Sequence, residues 1–190
     1  VVTPYYNKPT QSGLLAHYNE LLKHSTKPII IYDIPGRSVI QMSDNTMAKL
    51  AENELIVGVK DATADLARPT RLQNLISDDF IQLSGEDGTA LAYLAAGGHG
   101  CISVTANIAP KLISKMHSAW KSGNISLCQE INKKLMPLHD ALFCETSPGP
   151  LKYAASLLGI CSHEARLPIV DIEDSSKKNV KKALEITGLL

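Results

Sequence analysis

The sequence has 190 residues, 44% apolar and 20% charged, with 19 basic and 19 acidic side chains and so no formal net charge. That balance describes a soluble globular chain, with no basic excess for nucleic acid, no charged tail and no apolar run long enough to span a membrane. Cys101, Cys128, Cys144 and Cys161 lie far apart without a C-x-x-C pair, and the six histidines lack ligand spacing, so reduced cytoplasmic thiols are expected and a metal site is not.

Val1-Val2-Thr3 reads as the tail of a strand closed by Pro4, and Tyr5-Tyr6-Asn7-Lys8-Pro9 as a loop. This opening resembles the inside of a fold more than a leader and, without an initiator methionine, is expected to belong to a fragment of a longer chain. Thr10 or Ser12 is placed to cap a helix that carries Leu14, Leu15, Tyr18, Leu21 and Leu22 at helical spacing. After Lys27-Pro28 comes a short apolar strand, Ile29-Ile30-Ile31-Tyr32, followed by the loop Asp33-Ile34-Pro35-Gly36-Arg37. Ser43 then caps a helix bearing Met47, Leu50 and Ala51. The next run, Leu55-Ile56-Val57-Gly58-Val59, reaches Lys60 with no polar–apolar alternation, the pattern of a parallel strand buried on both faces. A weakly helical stretch over residues 70–76 leads to a strand over 80–84, which breaks at Gly85-Glu86-Asp87-Gly88. A short helix over 89–96 stops at Gly97-Gly98-His99-Gly100, and Cys101-Ile102-Ser103-Val104 is the last strand.

Five strand–loop–helix units of this kind predict a parallel α/β fold. From about residue 106 the pattern is helical only, over 108–120, 125–143, 150–158 and 175–187. The expected division is therefore an α/β part, residues 1–122, and a helical C-terminal part, residues 123–190.

In a (β/α)₈ barrel the active site is built at the C-terminal ends of the strands. Those ends carry Thr3 with Tyr5 and Tyr6, then Tyr32 with Arg37, then Lys60 with Thr63, then Ser84 to Asp87, and finally Ser103 and Thr105. An amine, a guanidinium and several phenols at one mouth suit chemistry on a small keto acid: the amine for the carbonyl, the guanidinium for a carboxylate, a phenol to move protons. Taken singly, Lys60 reads as a lysine shielding a strand end, Arg37 as a solvated loop residue, and the tyrosines as packing groups. Their shared position raises the functional reading.

Four motifs, Thr3-Pro4-Tyr5-Tyr6, Tyr32-Asp33-Ile34-Pro35-Gly36-Arg37, Gly58-Val59-Lys60-Asp61-Ala62-Thr63 and Gly97-Gly98-His99-Gly100-Cys101-Ile102-Ser103, together resemble the dihydrodipicolinate synthase family. That family belongs to the pyruvate-dependent class I aldolases, which also include N-acetylneuraminate lyase. The resemblance implies a TIM (β/α)₈ barrel with a C-terminal helical extension. It implies condensation of pyruvate with L-aspartate 4-semialdehyde in lysine biosynthesis, through a Schiff base on Lys60 and with no metal or organic cofactor. By the same resemblance Tyr32 relays protons, Tyr6 is lent to a neighbouring subunit's relay, and Arg37 binds the semialdehyde carboxylate. Thr63, Gly85 and Ile102 line the pocket, while Tyr5 lies at a tight-dimer interface near an L-lysine effector site. A homotetramer of tight dimers is implied as well. The alternatives are a lyase for sialic acid or another 2-keto-3-deoxy acid, and an inactive truncated paralogue.

The sequence departs from the family pattern in three places. Asp33 stands where asparagine is commoner, Asp61 where glutamate is frequent, and the chain is short. A complete barrel has eight strands in about 250 residues; five are expected here, resembling strands four to eight. The first three strands, with a Thr-Thr pair that would join the relay, have no counterpart.

Overall fold

The computed structural model describes residues 1–190, which form two compact units, Val1–Ile102 and Ser103–Leu190. In the first, helix α1 (Gln11–His24) precedes strand β1 (Ile29–Asp33), and the one-turn helix α2 (Pro35–Ser38) and α3 (Asp44–Ala51) follow. Strand β2 (Ile56–Asp61), α4 (Arg68–Gln73), β3 (Ile81–Ser84), α5 (Ala90–Ala95) and β4 (Gly100–Cys101) complete it. The strands pair in the order β1-β2-β3-β4, all parallel, as helices alternating with strands require. Val1–Thr3 joins the β1 edge through one parallel bridge, Val2 to Tyr32, with Tyr32 N–H donating to Val1 O at 2.7 Å and Thr3 N–H to Tyr32 O at 3.0 Å. These are the five parallel segments that the sequence predicts.

Thr10 caps α1, its hydroxyl accepting from Gly13 N–H at 3.2 Å, and Ser43 caps α3, accepting from Thr46 N–H at 3.2 Å. Each cap contributes about 1 kcal/mol. The apolar stripes of these helices then meet one face of the sheet. Leu14, Tyr18, Ile29, Ile31, Met42, Met47, Leu50, Ile56, Val59, Leu72 and Phe80 form one buried cluster. The opposite face behaves differently. Ile30, Tyr32, Lys60 and Leu83 are only half-buried, so the two-sided burial expected of these strands holds on the helix side alone.

Three local expectations are revised. Residues 35–38 form a helical turn, because Pro35 presets a helical φ and Ser38 and Val39 donate back to Ile34 O and Pro35 O. The last strand is two residues long, since Val104 already has helical dihedrals and Ala106 N–H donates to Ser103 Oγ at 2.8 Å. Helix α4 starts at Arg68, two residues ahead of the expected stretch.

The second unit holds a 3₁₀ turn (Thr105–Asn107) and four helices, α6 (Pro110–Lys121), α7 (Ile125–Ala141), α8 (Gly149–Leu157) and α9 (Asp174–Thr187). Asn124 caps α7, and Gly188, at φ 70°, ends α9 in the left-handed conformation that glycine adopts without strain. Helix α7 packs on α6 and α9, and Ile113, Met116, Cys128, Ile131, Leu135, Leu138, Val180 and Leu184 on these helices are all buried. All four cysteines are free thiols, and no helix is long and apolar enough to cross a membrane.

Leu50 is 1% exposed and belongs to the first unit's buried cluster. Leu50→Ala is expected to cost about 2–5 kcal/mol of stability in urea unfolding, from lost burial plus the cavity left behind.

Candidate functional site

The register of β1 on β2 sets Tyr32 opposite Lys60, and that of β2 on β3 sets Lys60 opposite Leu83. Partners in register project to the same face of a sheet, which here is the half-buried one. Lys60 Nζ lies 3.9 Å from the centroid of the Tyr32 ring. A cation over an aromatic face at this distance is attracted by the ring quadrupole, by about 0.5–1 kcal/mol where water still reaches it. The contact fixes a long, otherwise flexible side chain beside a phenol.

Beyond the strands, the ladder continues for one bond per strand. Ala62 N–H donates to Asp33 O at 2.9 Å, Gly85 N–H to Asp61 O at 2.6 Å, and Ile102 N–H to Ser84 O at 2.9 Å. Gly85 is placed so tightly that a Cβ there would lie 2.8 Å from Ala62 Cβ, 3.2 Å from Asp61 O and 3.3 Å from Lys60 Cε. Only glycine lets this loop pass against the lysine stem. The charge of Lys60 also reaches the next loop. Burial and the neighbouring Asp87 push the Glu86 carboxyl up, with Lys60 pulling it back down. Burial and Asp87 push the Cys101 thiol up to about 12, against the opposing pull of Ser84 and Lys60.

The structure thus brings Lys60, Tyr32 and Gly85 together. Thr63 is half-buried, but its N–H and hydroxyl both donate to Asp61 Oδ1, at 2.9 and 2.7 Å, and its oxygen accepts from Asp65 N–H at 3.2 Å. Arg37 is exposed on α2. Ile102 is 44% exposed, Tyr5 64% and Tyr6 86%, the two tyrosines on a turn closed by Lys8 N–H donating to Tyr5 O at 3.1 Å. No group of three or more His, Cys, Asp or Glu side chains is arranged to hold a metal ion.

Sequence reasoning missed Arg68. Its side chain is fully buried on the helix side of the sheet, directly behind the Tyr32–Lys60 pair. Nη1 donates to Asp33 Oδ2 at 2.8 Å and lies 3.6 Å from Asp61 Oδ1, Nη2 donates to Met42 O at 2.7 Å, and Nε donates to Asp44 Oδ1 at 2.9 Å. Asp33 also accepts from Met42 N–H at 3.2 Å, while Arg71 bridges Asp44 and Asp65 at 2.7 and 2.6 Å. Burial works against the Arg68 charge, but Asp61, Asp33 and Asp44 outweigh it and hold the guanidinium above its ordinary value. Burial likewise pushes Asp33 up, with Arg68 and the Met42 N–H opposing and the Asp61 charge adding to the rise. Asp61 Oδ2 is buried with no hydrogen-bond partner. An arginine before Pro69 reads as a solvated loop residue. The signal that could have found it is the pair Asp33 and Asp61, each ending an apolar strand and so needing a buried cation.

The profile of the dihydrodipicolinate synthetase family matches residues 1–187, and the chain belongs to that family. A 4-hydroxy-tetrahydrodipicolinate synthase from Rhodospirillum centenum is 58% identical over 190 residues, covering all of this chain and 65% of that protein. The chain thus spans about two-thirds of the length of this curated relative. Among solved structures, the dihydrodipicolinate synthase of Thermotoga maritima superposes with a TM-score of 0.96 at 39% identity, covering all of this chain and 66% of that one. The chloride-inhibited enzyme of Acinetobacter baumannii complexed with pyruvate gives 0.94 at 38% identity, covering all of this chain and 65% of that one. The α/β unit is accordingly part of a (β/α)₈ barrel, followed by C-terminal helices.

Two outcomes follow from the packing around Lys60. Gly85→Ala is expected to destabilise by about 1–3 kcal/mol in urea unfolding, through overpacking against Ala62 and the Lys60 stem. The folded pKa of Glu86 is raised, so its contribution to stability is present below the unfolded value near 4.3 and is lost as pH rises through the folded value. Glu86→Gln should therefore raise the thermal midpoint at pH 7 and leave it nearly unchanged at pH 3.5.

Proposed function

We propose that Lys60 is the Schiff-base nucleophile of a pyruvate-dependent class I aldolase that condenses pyruvate with L-aspartate 4-semialdehyde, in a complete polypeptide longer than these residues. The observation that carries this reading is the Lys60 amine held 3.9 Å from the Tyr32 ring centroid at the C-terminal strand ends, where barrel enzymes build their sites. Family membership and the pyruvate complex of the Acinetobacter baumannii relative support it.

The unprotonated amine attacks the pyruvate ketone carbon, and the carbinolamine loses water to give a protonated imine. That cation is the electron sink for loss of a methyl proton, which produces the enamine. The enamine carbon attacks the semialdehyde carbonyl, whose oxygen takes up a proton. The amino group of the bound semialdehyde then displaces the lysine by transimination, closing the ring to 4-hydroxy-tetrahydrodipicolinate and freeing Lys60. The imine nitrogen supplies the electron sink that a cofactor would otherwise provide, so the only covalent species on the protein is the substrate pyruvate, bonded to Lys60 until transimination. Tyr32, beside the amine, hands protons to and from the carbinolamine.

The remaining roles belong to the same reading. Arg37, exposed on α2, meets the semialdehyde carboxylate at the entrance, and Thr63, Gly85 and Ile102 line the pocket. Tyr6, 86% exposed, suits a tyrosine that finds its partners only in a neighbouring subunit, and Tyr5 suits the dimer interface beside an L-lysine site. The enzyme would act in the cytoplasm as a dimer of tight dimers. Residues 1–122 would form the C-terminal part of the barrel, and residues 123–190 the helical domain.

Borohydride reduction of the complete gene product with pyruvate should leave one stable adduct on Lys60, and Lys60→Ala should abolish it while circular dichroism stays unchanged. An adduct that persists in that variant moves the nucleophile elsewhere. Arg37→Ala should raise the KM for semialdehyde about 10- to 100-fold, the loss of about 1.5–3 kcal/mol of charged hydrogen bonding, and leave that for pyruvate nearly unchanged.

A further inference from the structure

Asp33 and Asp61 directly follow Tyr32 and Lys60 and face each other across the β1–β2 register. Side chains alternate along a strand, so the two acids project to the helix side while the phenol and the amine project to the other. Like charges directly opposite one another push strands apart. Here the Arg68 guanidinium lies against both, at 2.8 Å from Asp33 and 3.6 Å from Asp61, and is tied to α3 through Asp44 and to the segment before it through Met42 O. Each acid in turn shapes a loop, Asp33 through Met42 N–H and Asp61 through Thr63.

A buried ion cluster of this kind is weak evidence for stability, because desolvation offsets most of the attraction, and a well-packed apolar group can do as well. What an apolar group cannot do is fix the spacing of two strand ends by directed bonds. From this geometry we infer that Arg68 is a positioning residue: it clamps the ends of β1 and β2 from behind and thereby sets the distance between the Lys60 amine and the Tyr32 phenol on the front. The planar fork matters as well as the charge, since lysine offers one point of attachment where Arg68 uses three nitrogens. This inference rests on the reading of Lys60 as the nucleophile.

The test uses the complete gene product and two variants, Arg68→Lys and Asp44→Asn. The readouts are kcat, the KM for pyruvate, the rate of the borohydride-trappable adduct, and folding by circular dichroism. Arg68→Lys is expected to slow both adduct formation and kcat about 10- to 100-fold with the pyruvate KM changed less than about threefold, as a sub-ångström misplacement of reacting groups does. A folded Arg68→Lys protein that forms adduct within twofold of the unmodified rate overturns the inference, whatever its thermal midpoint. If that variant does not fold, Asp44→Asn decides. Of the Arg68 bonds it loosens only the Nε arm, at a carboxylate 21% exposed that also pairs with Arg71, and it should slow adduct formation about threefold or more. An unchanged rate there overturns the inference. Absence of adduct in the unmodified protein would instead refute the Schiff-base reading on which it rests.

Discussion

Parallel pairing of β1 with β2 is the constraint from which the site follows. One register, Tyr32 to Lys60 and Asp33 to Asp61, assigns a phenol and an amine to one face and two carboxylates to the other. A slip of one residue in β2 would put Asp61 beside the tyrosine and the lysine among the helices, and a slip in β1 would do the same with Asp33 and the tyrosine. The apolar cluster beneath β1 and β2 prevents that slip, because Ile31 and Val59, both fully buried, would have to leave the core with it. Hydrophobic burial and site chemistry are thus secured by the same alternation.

The ionic group behind the sheet divides the work differently. The core holds the strands in register, but its contacts are not directional. Arg68 adds three directed bonds, to Asp33, Asp44 and Met42 O. The shared guanidinium makes two facing carboxylates tolerable at the ends of adjacent strands. At Asp33 a carboxyl oxygen, where an asparagine would offer an amide oxygen, accepts from that buried cation at 2.8 Å.

Most of the strands and helices were legible from periodicity, caps and glycine stops, because each relies on local chemistry: Thr10 and Ser43 as caps, Gly188 as a terminator, the apolar runs before Tyr32 and Lys60. Arg37 reads as a loop residue because Pro35-Gly36 signals a turn, and a single helical turn has no periodicity to detect. Lys60 and Tyr32 were legible as neighbours because both close apolar strands. Arg68 was not, since its burial depends on Asp33, Asp44 and Asp61, which come from two strands and a helix up to 35 residues away. The half-buried state of the Tyr32–Lys60 face also escaped the sequence, as an unbroken apolar run does not say how much chain covers each side.

The bonds that finish the strands, from Ala62, Gly85 and Ile102 to the carbonyls of Asp33, Asp61 and Ser84, join main-chain atoms only. They are therefore indifferent to the side chains farther along each loop. Replacing exposed side chains such as Arg37 would leave these bonds, and the Lys60 amine beside them, in place. On the reading of Lys60 as a nucleophile, such a floor would let a lineage exchange the rim of its site while the strand ends beneath keep their places.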